Sequence, residues 1–240
     1  YLIMNIKNLL LLISIFLISG CESDKIKEVP ADVFVLKLKD NTVESLNSLL
    51  PESQNIMTII PELFSDTIQN QIILVNESNV YVTFIYEGAG YRNSLHWYSY
   101  DKTKPPQSVA ELQYNVLFPN ISTIDDGGKL EPGYTLQVGK GTFPAGTVIG
   151  FFLVLNGWND GTIDYTKPTQ YTDRLFNVNG NQQHILFRMN AFNHLFLGFE
   201  DVNRDNYNCD KDFNDVLIAV SDNTEGKEPT SFDLTKVVIK

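Results

Sequence analysis

From Gln69 onward the chain is a succession of short apolar or alternating runs, each bounded by Gly, Pro, Asn or Asp. The runs are "NQIILVN", "NVYVTFIYE", "SLHWYSYD", "ELQYNVLFPN", "TLQVGKG", "TVIGFFLVLNGW", "QQHILFRMN", "HLFLGFED" and "DVLIAVSD". Within the second, Val80, Val82, Phe84 and Tyr86 alternate against Tyr81, Thr83 and Ile85, the period of a strand with two unlike faces. About nine such strands, with turn-rich connections and no long helix among them, predict an antiparallel, jelly-roll-like β-sandwich. "GTVIGFFLVLNGW" is apolar on both faces and is the expected central buried strand. Ahead of the strands, residues 43–66 carry Leu and Ile at loosely helical spacing, broken by Pro51 and Pro61. One or two short helices are expected there, on the edge of the domain.

Composition sets the outer limits. Apolar residues at 43% can fill a core, which excludes global disorder. A net charge of −11 excludes nucleic acid as a partner, because phosphate binding needs basic surface. It equally excludes a polybasic hold on anionic lipid.

The N-terminus carries an export signal. "MNIKNLLLLISIFLISGC" has a basic start at Lys7 and an apolar run from Leu9 to Ile18, too short to span a bilayer comfortably. Met4 is read as its beginning. The run ends in Leu17-Ile18-Ser19-Gly20-Cys21, which resembles the bacterial lipobox, whose cysteine is lipidated. The acidic "ESDK" that follows is similar to the tags that carry some lipoproteins to the cell surface. This divides the chain into a signal peptide (1–20), a tether (21–42), a sandwich domain (43–225) and a C-terminal strand or tail (226–240). Membrane association is then through the lipid on Cys21 alone. With Cys21 lipidated, Cys209 is the one remaining thiol and has no partner for an intramolecular disulfide.

One segment resists an ordinary reading. "GFEDVNRDNYNCDKDFND", residues 198–215, holds six carboxylates and four asparagines in eighteen positions. Two unit charges 4 Å apart repel by about 1 kcal/mol in water and about 4 at an effective dielectric near 20. Several such pairs rival the roughly 5–15 kcal/mol that holds a domain together. Asp and Asn are also turn formers, so a solvated acidic turn is the plain alternative. That alternative does not account for the very apolar strands on either side, "LFLGF" and "VLIAV", which force the acids to converge.

Calcium resolves the conflict, since it takes six to eight hard oxygens from carboxylates, amides and carbonyls. Glu200, Asp201, Asp210, Asp212, Asn214 and Asp215 are the expected ligands, with Asn203 and Asp205 in a second rank. Zinc would call for His and Cys, and only Cys209 is near. Asp201, Asn203 and Asp205 resemble the first half of an EF-hand-like loop. Asp210, Asp212 and Asn214, at period two, are expected on one side of an extended strand, with Phe213 facing away into the core.

"LGFEDVNRD…DKDFNDVLIAV" also resembles the GFED…DFND signature of the domain-of-unknown-function family 4114, related to the C-terminal domains of LruC-type bacterial surface proteins. "FIYEGAGYRNSLHWYSY", "GTFPAGTVIGFFLVLNGW" and "QHILF" are similar to segments that precede it in the family, so the resemblance spans residues 48–221. It implies a β-rich, calcium-binding, surface-attached domain with no settled activity. By position it marks Glu200, Asp201, Asp212, Asn214 and Asp215.

Other motifs say less. "EGAGYRN" (87–93) has no helix after it to make a phosphate cradle and reads as a strand connection, though Glu87 or Asn93 can complete a site. His96, His184 and His194 are scattered and read as packed residues. No nucleophile elbow is present. Trp97, Tyr98, Tyr100, Trp158 and Tyr171 offer a sugar-stacking platform or, more simply, core. The expected function is a surface-anchored calcium-binding module for recognition or adhesion, with a surface glycan or peptide as partner. A purely structural calcium-stabilised domain is the alternative, and a metal-dependent hydrolase the least favoured.

Overall fold

The computed structural model describes residues 34–123 and 127–240. The export signal, the lipidation of Cys21 and the first part of the tether lie outside the described residues. Along the chain come β1 (Phe34–Val35), the helices α1 (Thr42–Leu49) and α2 (Ile56–Ile59), and then β2 (Ile72–Ile73), β3 (Tyr81–Glu87), β4 (Ser94–Asp101) and β5 (Tyr114–Phe118). After these follow β6 (Tyr134–Gln137), β7 (Thr147–Val154), β8 (Trp158–Asn159), β9 (Thr162–Ile163) and β10 (Thr169–Tyr171). The last are β11 (His184–Arg188), β12 (Leu195–Phe199), β13 (Val216–Ser221) and β14 (Val238–Ile239).

The architecture is a β-sandwich with a helical cover. One sheet runs β1-β6-β3-β13-β12-β11-β14, antiparallel except for the last pair. The other runs β10-β7-β4-β5, with β2 sharing the β10 edge of β7. β8 and β9 form a small separate hairpin. Val82 and Phe84, Leu195, Leu197 and Phe199, and Val216, Ile218 and Val220 face Leu95, Leu117, Ile149, Phe151 and Leu153 across the sandwich. Each such side chain, fully buried, contributes about 1.5–3 kcal/mol before conformational entropy is counted.

The opposite face of the first sheet is covered too. Ile185, Phe187, Phe196 and Leu217 pack under Leu46, Leu50, Ile56, Ile60 and Leu63 of the N-terminal helices. This explains why β11, β12 and β13 are apolar at nearly every position rather than at every second one. α1 aligns Leu46 and Leu50 on one face and stops before Pro51; α2 stops before the 3-10 turn that opens at Pro61. The expected central strand is β7, buried from Val148 to Val154 and paired along its whole length with β4.

Some expectations change. More strands form than the nine predicted, because two- and three-residue edge strands carry too little periodicity to be read. Phe34–Asn41, expected in the tether, belong to the fold: β1 pairs with β6, and Leu36 is buried with its N–H on Gly133 O. The apolar Phe34-Val35-Leu36 within a polar stretch is the cause. At the other end β14 pairs in parallel with β11, and Phe232 and Val237 are buried, so the mostly irregular C-terminal segment packs on the sandwich and ends in a two-residue strand. In β3 the alternation holds only to Phe84. A bulge opposite Leu217/Ile218 then turns Ile85 and Tyr86 both toward the helical cover. That bulge leads directly into the 87–93 connection, which crosses from the first sheet to the second.

Candidate metal centre

The acidic segment is the connection between neighbouring antiparallel strands, β12 and β13. Phe199 pairs with Val216, so Glu200 and Asp201 start the loop where Asp215 ends it. Asp201 N–H donates to Asp215 Oδ2 at 2.7 Å. The apolar strands thus bring these acids together through their register, without help from the rest of the chain.

The loop then folds back over the sheet. A Cβ on Gly198 would lie 2.3 Å from Phe213 O, so only glycine lets the returning backbone pass this close. Phe213 is fully buried, with its ring 5.0 Å from that of Phe64 beneath the helical cover. Glu200 braces the turn: Oε1 accepts from Phe213 N–H at 2.8 Å and Oε2 from the Cys209 thiol at 2.7 Å. Residues 210–214 are not the extended strand expected. Lys211 (φ 66°) and Phe213 (φ 57°) are left-handed, and these kinks aim Asp210, Asp212 and Asn214. For a bulky residue such as Phe213 this conformation costs on the order of 1–3 kcal/mol. The buried ring and the Glu200 brace hold it there.

Two distant segments complete the surroundings. The α1–α2 turn docks on one side, with Ser53 N–H donating to Asp212 Oδ2 (2.8 Å), Ile56 N–H to Lys211 O (2.9 Å) and Asn214 Nδ2 to Leu50 O (3.1 Å). This turn delivers Glu52, and oxygens of Glu52, Asp210 and Asp212 all lie within 4.8 Å of one another. Two ligands held about 2.4 Å from one calcium ion are at most about 4.8 Å apart. On the other side the β3–β4 connection supplies Asn93, whose Nδ2 donates to Asp201 Oδ2 at 2.8 Å, and Gly88, whose N–H donates to Asp215 O.

The charge is poorly compensated. Glu200, Asp201 and Asp212 are each at most 4% exposed. Burial, opposed by the Cys209 and Phe213 hydrogen bonds, pushes the Glu200 carboxyl up to about 7. Burial pushes Asp212 up to about 6 against hydrogen bonds from Ser53 and Asn214. Asp201 and Asp215 are both raised, chiefly by burial, and Asp215 further by the charge of Asp201 beside it. Among the described residues, no ion pair reaches any acid of this loop. Arg204, inside the segment, instead donates to Gln182 O.

Buried carboxylates without a counter-ion are costly, and a metal among them removes the cost. The donors suit a hard cation. Among the described residues, Asn214 Oδ1 is buried without a hydrogen-bond partner, 3.0 Å from where a Cβ on Gly88 would stand. The Cys209 thiol, its pKa raised by burial and by Glu200, is protonated and offers no thiolate. Glu52, Asp210 and Asp212 can hold one ion; Asp201 and Asp215 form a second acidic pair.

The predicted residues thus separate. Asp201, Asp210, Asp212, Asn214 and Asp215 gather around the neck and turn of the loop, and Glu200 spends both oxygens on bracing it. Asp205 does not join them. It is exposed and accepts from Asn179 Nδ2, so the EF-hand-like convergence of Asp201, Asn203 and Asp205 does not form. Asn203 Oδ1 caps the local turn by accepting from Asp205 N–H. Glu52 was missed, for nothing in "LPESQ" ties it to a loop 160 residues away. The three histidines are buried among apolar neighbours, His96 stacked on Phe152 at 4.6 Å. Of the five aromatics expected as a platform or core, Tyr98 and Tyr171 are buried and Trp97 packs toward the sandwich core, while Tyr100 and Trp158 are half-buried.

Fold and site together define a β-sandwich domain whose distinguishing feature is an acidic loop folded between two core strands. Residues 143–223 match the family model described as "Domain of unknown function (DUF4114)", so this segment is similar to that family. The match runs from just before β7 through β13 and takes in every acid of the loop. No curated protein and no solved structure matches the chain.

Proposed function

We propose that this protein is a calcium-binding recognition or adhesion module, exported as a lipoprotein and held at the outer membrane or cell surface by lipid on Cys21. The observations that carry the calcium reading are the convergence of exposed Glu52 and Asp210 with buried Asp212, and the further buried, uncompensated Glu200 and Asp201 in the same loop, where Asn214 Oδ1 is buried and, among the described residues, unpartnered. Glu52, Asp210 and Asp212 would hold one ion, and Asp201 and Asp215, with Asn214, would hold another. Bound calcium supplies positive charge that lets the buried carboxylates of the loop stay ionised. The chain's own residues fix the loop: Gly198 admits the backbone, Phe213 anchors it and Glu200 spans it. The anchor follows from the Lys7–Cys21 signal. Binding, not catalysis, is the proposed role, toward a surface glycan or peptide.

Isothermal titration of chelator-stripped protein lacking residues 1–21 tests this reading. Two calcium ions bound, with a raised melting temperature, support it. At a free concentration 100 times Kd, binding adds about 2.7 kcal/mol of stability. No heat of binding and equal melting in calcium and EDTA would reject it.

A structural role for the ion has its own support. The loop holds the α1–α2 turn through Ser53, Leu50 and Ile56, so calcium there would clamp the helical cover onto the sandwich. Ligand binding that persists in EDTA at temperatures where the domain remains folded would favour this second role.

A further inference from the structure

Beside the acidic loop lies a cavity of about 510 Å³, formed by Tyr91, residues 155–156, 167–170, 176 and 178, and the start of the loop. That volume is in the range of small-ligand sites. Gln170 lines it from β10. This residue is 4% exposed, and among the described residues its side-chain amide makes no hydrogen bond, which leaves both amide groups free toward the cavity. Three more polar groups reach the same space with capacity to spare. Asp201 uses Oδ2 on Asn93 and leaves Oδ1 without a hydrogen bond. Asn203 and Asn206 accept through Oδ1 from Asp205 and Asn208 N–H and leave both Nδ2 groups undirected. Tyr91, 43% exposed, and Phe176 add aromatic surface.

We propose that this cavity binds a neutral carbohydrate, one or two sugar rings at a glycan end. The inference rests on the recognition reading above, whose calcium sites it borders. Unpaired amide donors beside a carboxylate acceptor match hydroxyls, each of which donates once and accepts twice. Tyr91 and Phe176 offer rigid amphipathic faces of the kind that cover a sugar ring's C–H surface. The lining holds one acid, Asp201, and one base, Lys167, so nothing in it selects a charged ligand. An extended peptide is disfavoured by a specific contact: Asn177 already bonds the N–H and C=O of Tyr171, at the outer edge of β10, where an added strand would pair.

The test is an array of neutral, sialylated and sulfated oligosaccharides and short peptides. It is probed with protein lacking residues 1–21, once in 1 mM calcium and once in EDTA. Neutral oligosaccharides bound in either condition, with at least tenfold weaker titration by Gln170→Leu and Tyr91→Ala at unchanged melting temperature, support the proposal. Binding confined to charged glycans or to peptides overturns it, and so does an array blank in both conditions. Neutral binding that neither substitution weakens overturns it as well. The melting temperatures of the same samples with calcium and with EDTA report separately on the calcium reading, so either can fail alone.

Discussion

Glu200→Gln gives a direct measure of how far burial strains the acidic loop. The wild-type carboxyl is raised from 4.5 to about 7, so the folded state binds a proton that the unfolded state releases. Stability from a raised carboxylate is fully present below about pH 4.5 and is lost as the pH climbs through 7. Between pH 5 and pH 8 the wild-type chain, stripped of metal, therefore loses on the order of 2–3 kcal/mol through this one group. Asp212, Asp201 and Asp215 act in the same direction. Whole-protein melting curves would hide this. His96 and His184, which burial holds down at about 3 and about 4, cost stability as the pH falls below 6.5, and His194 is lowered as well. All three histidines are common to wild type and variant and cancel in the difference.

The quantity to measure is thus the gap between Glu200→Gln and wild type, by urea unfolding in EDTA at pH 5, 6, 7 and 8. Glutamine keeps an oxygen for Phe213 N–H and carries no charge. The gap should move by on the order of 2–3 kcal/mol in the variant's favour from pH 5 to pH 8, equivalent to roughly 5–10 °C in melting temperature. Saturating calcium should shrink that movement, because cations held by the neighbouring acids favour the ionised form of Glu200. A gap independent of pH in EDTA would refute the claim that Glu200 is a desolvated, uncompensated acid.

Gly198→Ala places a Cβ 2.3 Å from Phe213 O. Overpacking of this kind costs about 1–3 kcal/mol, and calcium affinity should fall with stability, as read by calorimetry and melting. Glu52→Gln should behave differently. Calcium affinity should drop about tenfold or more, equivalent to about 1.4 kcal/mol, while metal-free stability holds or rises because a charge has left the Glu52–Asp210–Asp212 cluster. A metal-free melting temperature that falls sharply in Glu52→Gln would show that residue 52 serves packing instead.

The β-sandwich was legible because its signals are local. Strand periods in β3 to Phe84, the unbroken apolar run of β7 and the helix-breaking prolines at 51 and 61 each act within a few residues. The short edge strands and the inclusion of Phe34–Asn41 were not legible, since a two-residue strand exists only through the partner that binds it. Phe213 as an anchor was readable from its place between acids. The backbone that seats it was not: the left-handed turns at Lys211 and Phe213 run against the intrinsic preference of both residues, and a buried ring with the Glu200 brace is what holds them.

The sequence by itself determined that acids would meet, because Phe199 and Val216 lie on neighbouring apolar strands and the carboxylates on either side must share the neck of their loop. Only the tertiary structure decided what those acids would meet. Glu52 and Asn93 arrive from segments more than a hundred residues away, the first by docking the helical cover and the second by crossing between sheets. Side chains that approach through packing leave no period in the chain, and Gln170 at the cavity beside them is known only by where the sandwich closes.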